Sequence, residues 1–218
     1  MGKLREIFRY CDSCNPSITI EGCSATLPNI LLIKTMTHNN DFGYYTLEKD
    51  KIVFCFAGSN DIKDWISNFE FLPLEEGNTI SNGFYDSWSK FKDEITNLLN
   101  SKFNKPYILC VGHSRGAALA TLCARHIAKN MKIPCKLVVF GSPNIGNRKY
   151  ADEFELLPVD ATKVINGYDI VTSMPPTEFG FYGVGKTVNI KQLFWHHLMF
   201  FRINDHINYP KTLDKAKL

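Results

Sequence analysis

Residues 107–120, YILCVGHSRGAALA, carry the reading on which the fold turns. Tyr107 to Val111 is a short, unbroken apolar run, the pattern of a central strand covered on both faces. A Gly-x-Ser-x-Gly pentapeptide follows at 112–116, and from Gly116 to Ala128 small residues dominate, as suits a helix packed closely on a sheet. A sharp strand-to-helix turn lifts a serine out of the sheet, and the flanking glycines let the backbones approach without a Cβ clash. The helix start behind it favours developing negative charge. A glycine-rich turn with a capping serine would also suit this position. Placement between strand and helix favours Ser114 as a nucleophile.

The same alternation extends outward. Ile30 to Thr37, Gly43 to Glu48 and Lys51 to Phe56 read as strands, the last two joined as a hairpin through Lys49-Asp50. Phe84, Trp88, Phe91, Ile95 and Leu98 recur at helical spacing, and Pro106 closes the loop after them. Leu137 to Phe140 and Lys163 to Asn166 supply two more strands. The expected class is α/β, a mostly parallel central sheet flanked by helices. No repeat or Pro/Ser-rich linker divides the 218 residues, so a single domain over 1–218 is expected.

A net charge of +3 with no basic block excludes a nucleic-acid protein. Lys3, Arg5, Arg9, Lys211, Lys215 and Lys217 read as solvated termini. No stretch reaches the ~18–20 apolar residues that cross a bilayer; Leu193 to Ile203 is broken by His196, His197 and Arg202. The opening MGKLREIFRYCDSC breaks any apolar run with charges, so no secretory leader is read and a cytoplasmic location is expected. Seven cysteines, with Cys55, Cys110 and Cys123 inside apolar runs, suggest buried free thiols in a reducing compartment. Cys11 and Cys14, with Cys23 following, make half a zinc site without a second pair, so no metal is expected.

Further segments, in order, point to a family. They are Phe56-Ala57-Gly58-Ser59, Asp64-Trp65 with Asn68, Gly83-Phe84, and GHSRGAALA itself. Phe140-Gly141-Ser142-Pro143 with Gly146-Asn147 follows, then Asn166 to Val171 running into Pro175-Pro176, and Asp205-His206 with Tyr209. Together they resemble the class 3, fungal-type triacylglycerol lipases of the α/β-hydrolase fold. The chain departs from that pattern at Ala57 (usually arginine), Ser81 (often histidine), Arg115 (leucine) and Ala117 (glycine), none of which removes a catalytic atom. The first fifty residues carry no such motif.

The resemblance implies a Ser-Asp-His triad of Ser114, Asp169 and His206, in the chain order α/β-hydrolases use. Placement agrees. Asp169 follows a strand pattern, whereas Asp152 and Asp160 lie in a polar stretch. His206 lies among polar residues as an exposed loop base would, whereas His196 and His197 sit in an apolar run. The oxyanion donors implied are the amides of Ser59 and Arg115. The Arg115 guanidinium is expected to reach solvent or a local carboxylate, with an anionic group at the cleft mouth as the sharper alternative. Ile62, Trp65, Ile66 and Phe69 form one apolar stripe of a short helix, implied to be a lid that meets a lipid surface. The expected activity is lipid-ester hydrolysis without metal or organic cofactor. A phospholipase or lysophospholipase, a thioesterase or acyltransferase, and a silent binding module remain as alternatives.

Overall fold

Apolar residues alternate between the two faces of the central strands, and both faces must be covered. The computed structural model describes residues 2–14, 30–39, 41–58, 71–73, 79–101, 107–190 and 206–215. Its strands are β1 (Ile30–His38), β2 (Asp41–Glu48), β3 (Lys51–Phe56), β4 (Phe71–Pro73), β5 (Thr79–Ser81), β6 (Tyr107–His113), β7 (Cys135–Phe140), β8 (Val159–Ile165) and β9 (Lys186–Asn189). Among the described residues one seven-stranded sheet runs in the order β1-β2-β3-β6-β7-β8-β9, and β4 pairs with β5 apart from it. β1, β2 and β3 are antiparallel neighbours, whereas β3, β6, β7, β8 and β9 run parallel. This is the mostly parallel α/β sheet the sequence suggests.

The helices are α1 (Gly2–Asp12), α2 (Asn82–Asn100), α3 (Arg115–Lys129), α4 (Arg148–Glu155) and α5 (Tyr209–Lys215). On one face α2, α3 and α4 bury Phe84, Trp88, Phe91, Ile95, Leu119 and Phe154 against Ile52, Phe54 and Phe56 of β3 and their neighbours. Leu99, not the half-buried Leu98, completes the α2 stripe. On the other face Ile7, Phe8 and Tyr10 of α1 and Tyr209 and Leu213 of α5 cover Val53, Val111 and Phe140. A fully buried side chain of this kind contributes about 1.5–3 kcal/mol.

Two sequence readings change. β8 begins at Val159, because its first half alternates outward and carries Asp160, which pairs with Lys136 of β7 at 2.7 Å. Arg5 is not a free terminal cation: it bonds Asp12 and Asp214, each at 2.6 Å, and so ties α1 to α5.

Candidate active site

Three carboxyl ends of parallel strands converge here, the usual location of a site in an open α/β sheet. Ser114 follows β6 at φ 58° and ψ −130°, a conformation that costs a non-glycine residue of order 1–3 kcal/mol. Its amide donates to Phe140 O at 3.0 Å, and its carbonyl accepts from Ala117 N at 2.9 Å. The flanking glycines are sterically required. A Cβ on Gly112 would lie 2.1 Å from Gly116 O, and one on Gly116 would lie 2.1 Å from Phe56 O.

Asp169 stands past the end of β8, 2% exposed, and caps the 3-10 turn Ile170–Ser173. Its Oδ1 accepts from Val171 N at 2.9 Å and its Oδ2 from the Tyr209 hydroxyl at 2.8 Å. Nδ1 of His206 lies 3.0 and 2.9 Å from the two carboxylate oxygens. An Nδ1–H donated to Asp169 leaves the Nε2 lone pair free. Burial, with Asp169 beside it, raises the Tyr209 phenol well above its ordinary range, so it stays a donor. Gly141 lets the pair sit this deep. Its φ is +56°, and a Cβ there would lie 2.8 Å from both Asp169 Oδ2 and His206 Nδ1.

The Ser114 Oγ and the His206 Nε2 are both buried, and among the described residues neither has a hydrogen-bond partner. The hydroxyl and the ring nitrogen expected to react are thus left without a hydrogen bond among the described residues. His206 differs from the expected exposed loop base: it is 0% exposed. The reason is its aromatic cover. The His113 ring stacks on it at 4.6 Å and Tyr209 meets it edge-on, while Phe8 of α1 packs against both covering rings.

His113 belongs to the site although no role was read for it from the sequence. Its Nε2–H donates to His206 O at 2.9 Å. Burial, then the nearby His206, pushes its pKa down to about 4, so it adds no cation beside His206 near neutral pH. Arg115 turns away from the cleft. Its guanidinium bonds Asp41 of β2 and Ser87 of α2, and Lys90 joins the same carboxylate at 2.7 Å. Burial opposes the charge of Asp41, yet Lys90 and Arg115 together hold its pKa below the usual value. The local-carboxylate reading of Arg115 describes what is found.

The amide of Arg115 opens α3, where no earlier turn supplies an acceptor. The residues after β3 lie beside Ser114: Ala57 N donates to Phe42 O at 2.9 Å, and a Cβ on Gly58 would lie 3.4 Å from Ser114 Cβ. Ser59, the lid residues Ile62, Trp65, Ile66 and Phe69, and the rival bases His196 and His197 lie outside the described residues. Asp152 and Asp160 are exposed, and Asp160 pairs with Lys136 rather than with His206. Cys11, Cys14, Cys55, Cys110, Cys123 and Cys135 form no disulfide among the described residues, and no described cluster of His, Cys, Asp and Glu suits a metal ion.

A family model described as lipase (class 3) matches residues 53–179. A lipase of Rhizomucor miehei is 27% identical over 195 residues, which is 81% of this chain and 53% of that protein. Secreted mono- and diacylglycerol lipase 1 of Fusarium solani is 31% identical over 140 residues, 61% of this chain and 42% of its own. Phospholipase A1-II 5 of Oryza sativa subsp. indica is 41% identical over 92 residues, 38% and 20% of the two chains. The chain therefore spans about half the length of the R. miehei relative, and less of the others. The solved structure of R. miehei triacylglyceride lipase shares the fold with a TM-score of 0.79 at 21% identity, over 95% of this chain and 92% of that one. A Penicillium cyclopium structure does so with a TM-score of 0.78 at 18% identity, over 99% and 97%. The secreted relatives from Fusarium and Penicillium overturn the expectation of a cytoplasmic location. That expectation rested on the charged opening residues and on the cysteines, of which Cys55, Cys110, Cys123 and Cys135 are buried, where a thiol is inert in either kind of compartment.

Proposed function

The chain belongs to the class 3 lipase family, and from that premise we propose that it hydrolyses carboxylic esters of lipids through Ser114, His206 and Asp169. The observation that carries the reading is the buried Asp169–His206 pair beside a strained Ser114 whose hydroxyl is unspent. His206 Nε2 takes the Ser114 proton as Oγ attacks the ester carbonyl. Asp169, held by Val171 N and Tyr209, stabilises the imidazolium that forms. The amides of Arg115 and Ser59 receive the oxyanion. His206 then gives its proton to the leaving alcohol, and water repeats the sequence on the acyl-enzyme.

Lipid as the ester class rests on the family and on the apolar residues beside the triad. Tyr168 precedes the acid and Ile207 follows the base, 48% and 56% exposed. The stripe Ile62, Trp65, Ile66 and Phe69 is proposed to close over Ser114 in water and to open at a lipid surface. A phospholipase A1 reading has one support, the 41% identity over 92 residues to the rice enzyme. Arg115 lends it none, since that guanidinium is engaged by Asp41.

Ser114→Ala and His206→Ala are each expected to lower turnover of a p-nitrophenyl ester by about 10⁴-fold or more, with melting curves retained. Wild-type protein is expected to label with a fluorophosphonate, and Ser114→Ala is not. Turnover by Ser114→Ala close to that of wild type refutes the assignment. Release rates from triglyceride, diglyceride and phospholipid then choose between the two substrate readings.

A further inference from the structure

Lys163 is a buried charge that the chemistry above leaves unused. It sits on β8 with 6% exposure, ahead of Asp169 in the chain and before the strand ends. Its Nζ donates to Thr172 O at 3.1 Å. Thr172 belongs to the 3-10 turn that Asp169 caps, and both its amide (3.3 Å) and its hydroxyl (2.7 Å) donate to Asp169 O. One unbroken path therefore runs from the ammonium through Thr172 and Asp169 to His206.

The surroundings close a cage. Asn144 fastens the chain just beyond the turn, its amide donating to Met174 O at 2.8 Å and its Nδ2 to Pro175 O at 2.9 Å. Gly183 lies against both side chains: a Cβ there would stand 2.7 Å from Lys163 Nζ and 3.1 Å from Asn144 Oδ1. The flanking strands bring the uncharged Val139 and Thr187 to its level. In the covering loop Tyr182 is stacked on the Arg148 guanidinium at 4.0 Å. Among the described residues Asp169 is the charge that acts on the ammonium, and it makes no direct ion pair with it there. A buried cation without a contacting carboxylate is costly, and an apolar side chain of similar volume would fill the space more favourably. Its presence needs a compensating role.

We propose that Lys163 is a positioning residue for the acid: its ammonium clamps the turn through Thr172 O and so fixes the Asp169 carboxylate that orients His206. The inference rests on the triad reading. Burial pushes the Lys163 pKa down to about 8, against the pull of Asp169. Between that value and the ordinary lysine value near ~10.4 the unfolded chain keeps a proton that the folded chain has released. This group's contribution to stability therefore rises with pH across the window. The charged clamp is lost over the same window, so turnover falls. A fall in turnover while this contribution to stability rises marks the role, since a lysine that only packs would leave turnover unchanged across the window.

The test measures kcat and KM for a p-nitrophenyl ester, with melting temperature, from about pH 6 to about pH 10. Wild type, Lys163→Met and Lys163→Arg are compared. Wild-type kcat is expected to fall on an alkaline limb near pH 8 while melting temperature does not fall with it. Lys163→Met is expected to lose about 10- to 100-fold in kcat with KM little changed, and to lack the limb. Lys163→Arg, charged throughout, is expected to recover part of the rate and to lack the limb too. A Lys163→Met protein with wild-type kcat and the wild-type limb overturns the proposal. Should that variant fail to fold, an unchanged limb in Lys163→Arg overturns it equally. Asp169→Asn and His206→Ala separate the two readings: if they keep turnover the triad itself fails, and if they are dead while Lys163→Met is normal only the clamp fails.

Discussion

Ser114 bears two local costs, a positive φ and a buried hydroxyl with no partner among the described residues. Both suit the proposed nucleophile, and neither benefits the fold. Removing the hydroxyl alone leaves the backbone strain, because alanine has the same Cβ. Removing the Cβ as well relieves it. Ser114→Gly is therefore expected to melt above Ser114→Ala, although glycine in an ordered segment ordinarily costs about 0.5–1 kcal/mol relative to alanine. Differential scanning calorimetry of the two inactive proteins reads the order directly. The reverse order would mean that the elbow stores no strain. The pentapeptide made this residue legible, since glycines on both sides of a serine at a strand end have few other uses. His113 was not legible in the same way. The pattern allows many residue types there, and its bond to His206 spans 93 positions in the chain, which no local spacing reports.

At the scale of elements, α1 is where sequence reading fell furthest short. The class 3 motifs begin at Phe56, and nothing in MGKLREIFRYCDSC speaks of a catalytic site. Yet α1 lays Phe8 edge-on against His113 and Phe140 and in parallel with Tyr209, and Arg5 anchors the helix to Asp214 of α5. The helix roofs the proposed base, His206. The central strands were legible because both of their faces are buried and their apolar runs are continuous; β8 was half legible because its first turns face outward. A helix whose partner face is assembled from distant strands leaves no such local trace. Phe8→Ala is expected to destabilise the protein by about 3–5 kcal/mol as a buried aromatic truncation. It should also lower kcat more than KM, since the ring it removes supports the two that cover His206. Urea unfolding and ester kinetics on the same preparation check this. Loss of stability with unchanged kcat would reduce α1 to a lid over the core.

Across the whole molecule, charge is buried around one end of the sheet, and this sets how the protein meets acid. His113 is neutral when folded, its pKa pushed to about 4 by burial and by His206. An unfolded histidine titrates near ~6.5. Between these values the unfolded chain binds a proton that the folded chain refuses, so stability falls as pH drops through that window. Asp41 acts later. Lys90 and Arg115 hold its pKa below the ordinary carboxylate value, so its contribution is complete above that value and is lost as pH falls beneath it. The two groups lie on different elements, His113 at the end of β6 and Asp41 at the start of β2, and their titrations should separate. Acid unfolding is thus expected in two stages, a decline beginning in mildly acidic solution and a steeper one below about pH 4. His113→Asn removes the titrating group and should flatten the first stage while leaving the second. Asp41→Asn should lower stability near neutrality and flatten the second while leaving the first. Melting temperature against pH for the three proteins tests the assignment, and a first stage that survives in His113→Asn would place the mildly acidic transition elsewhere in the fold.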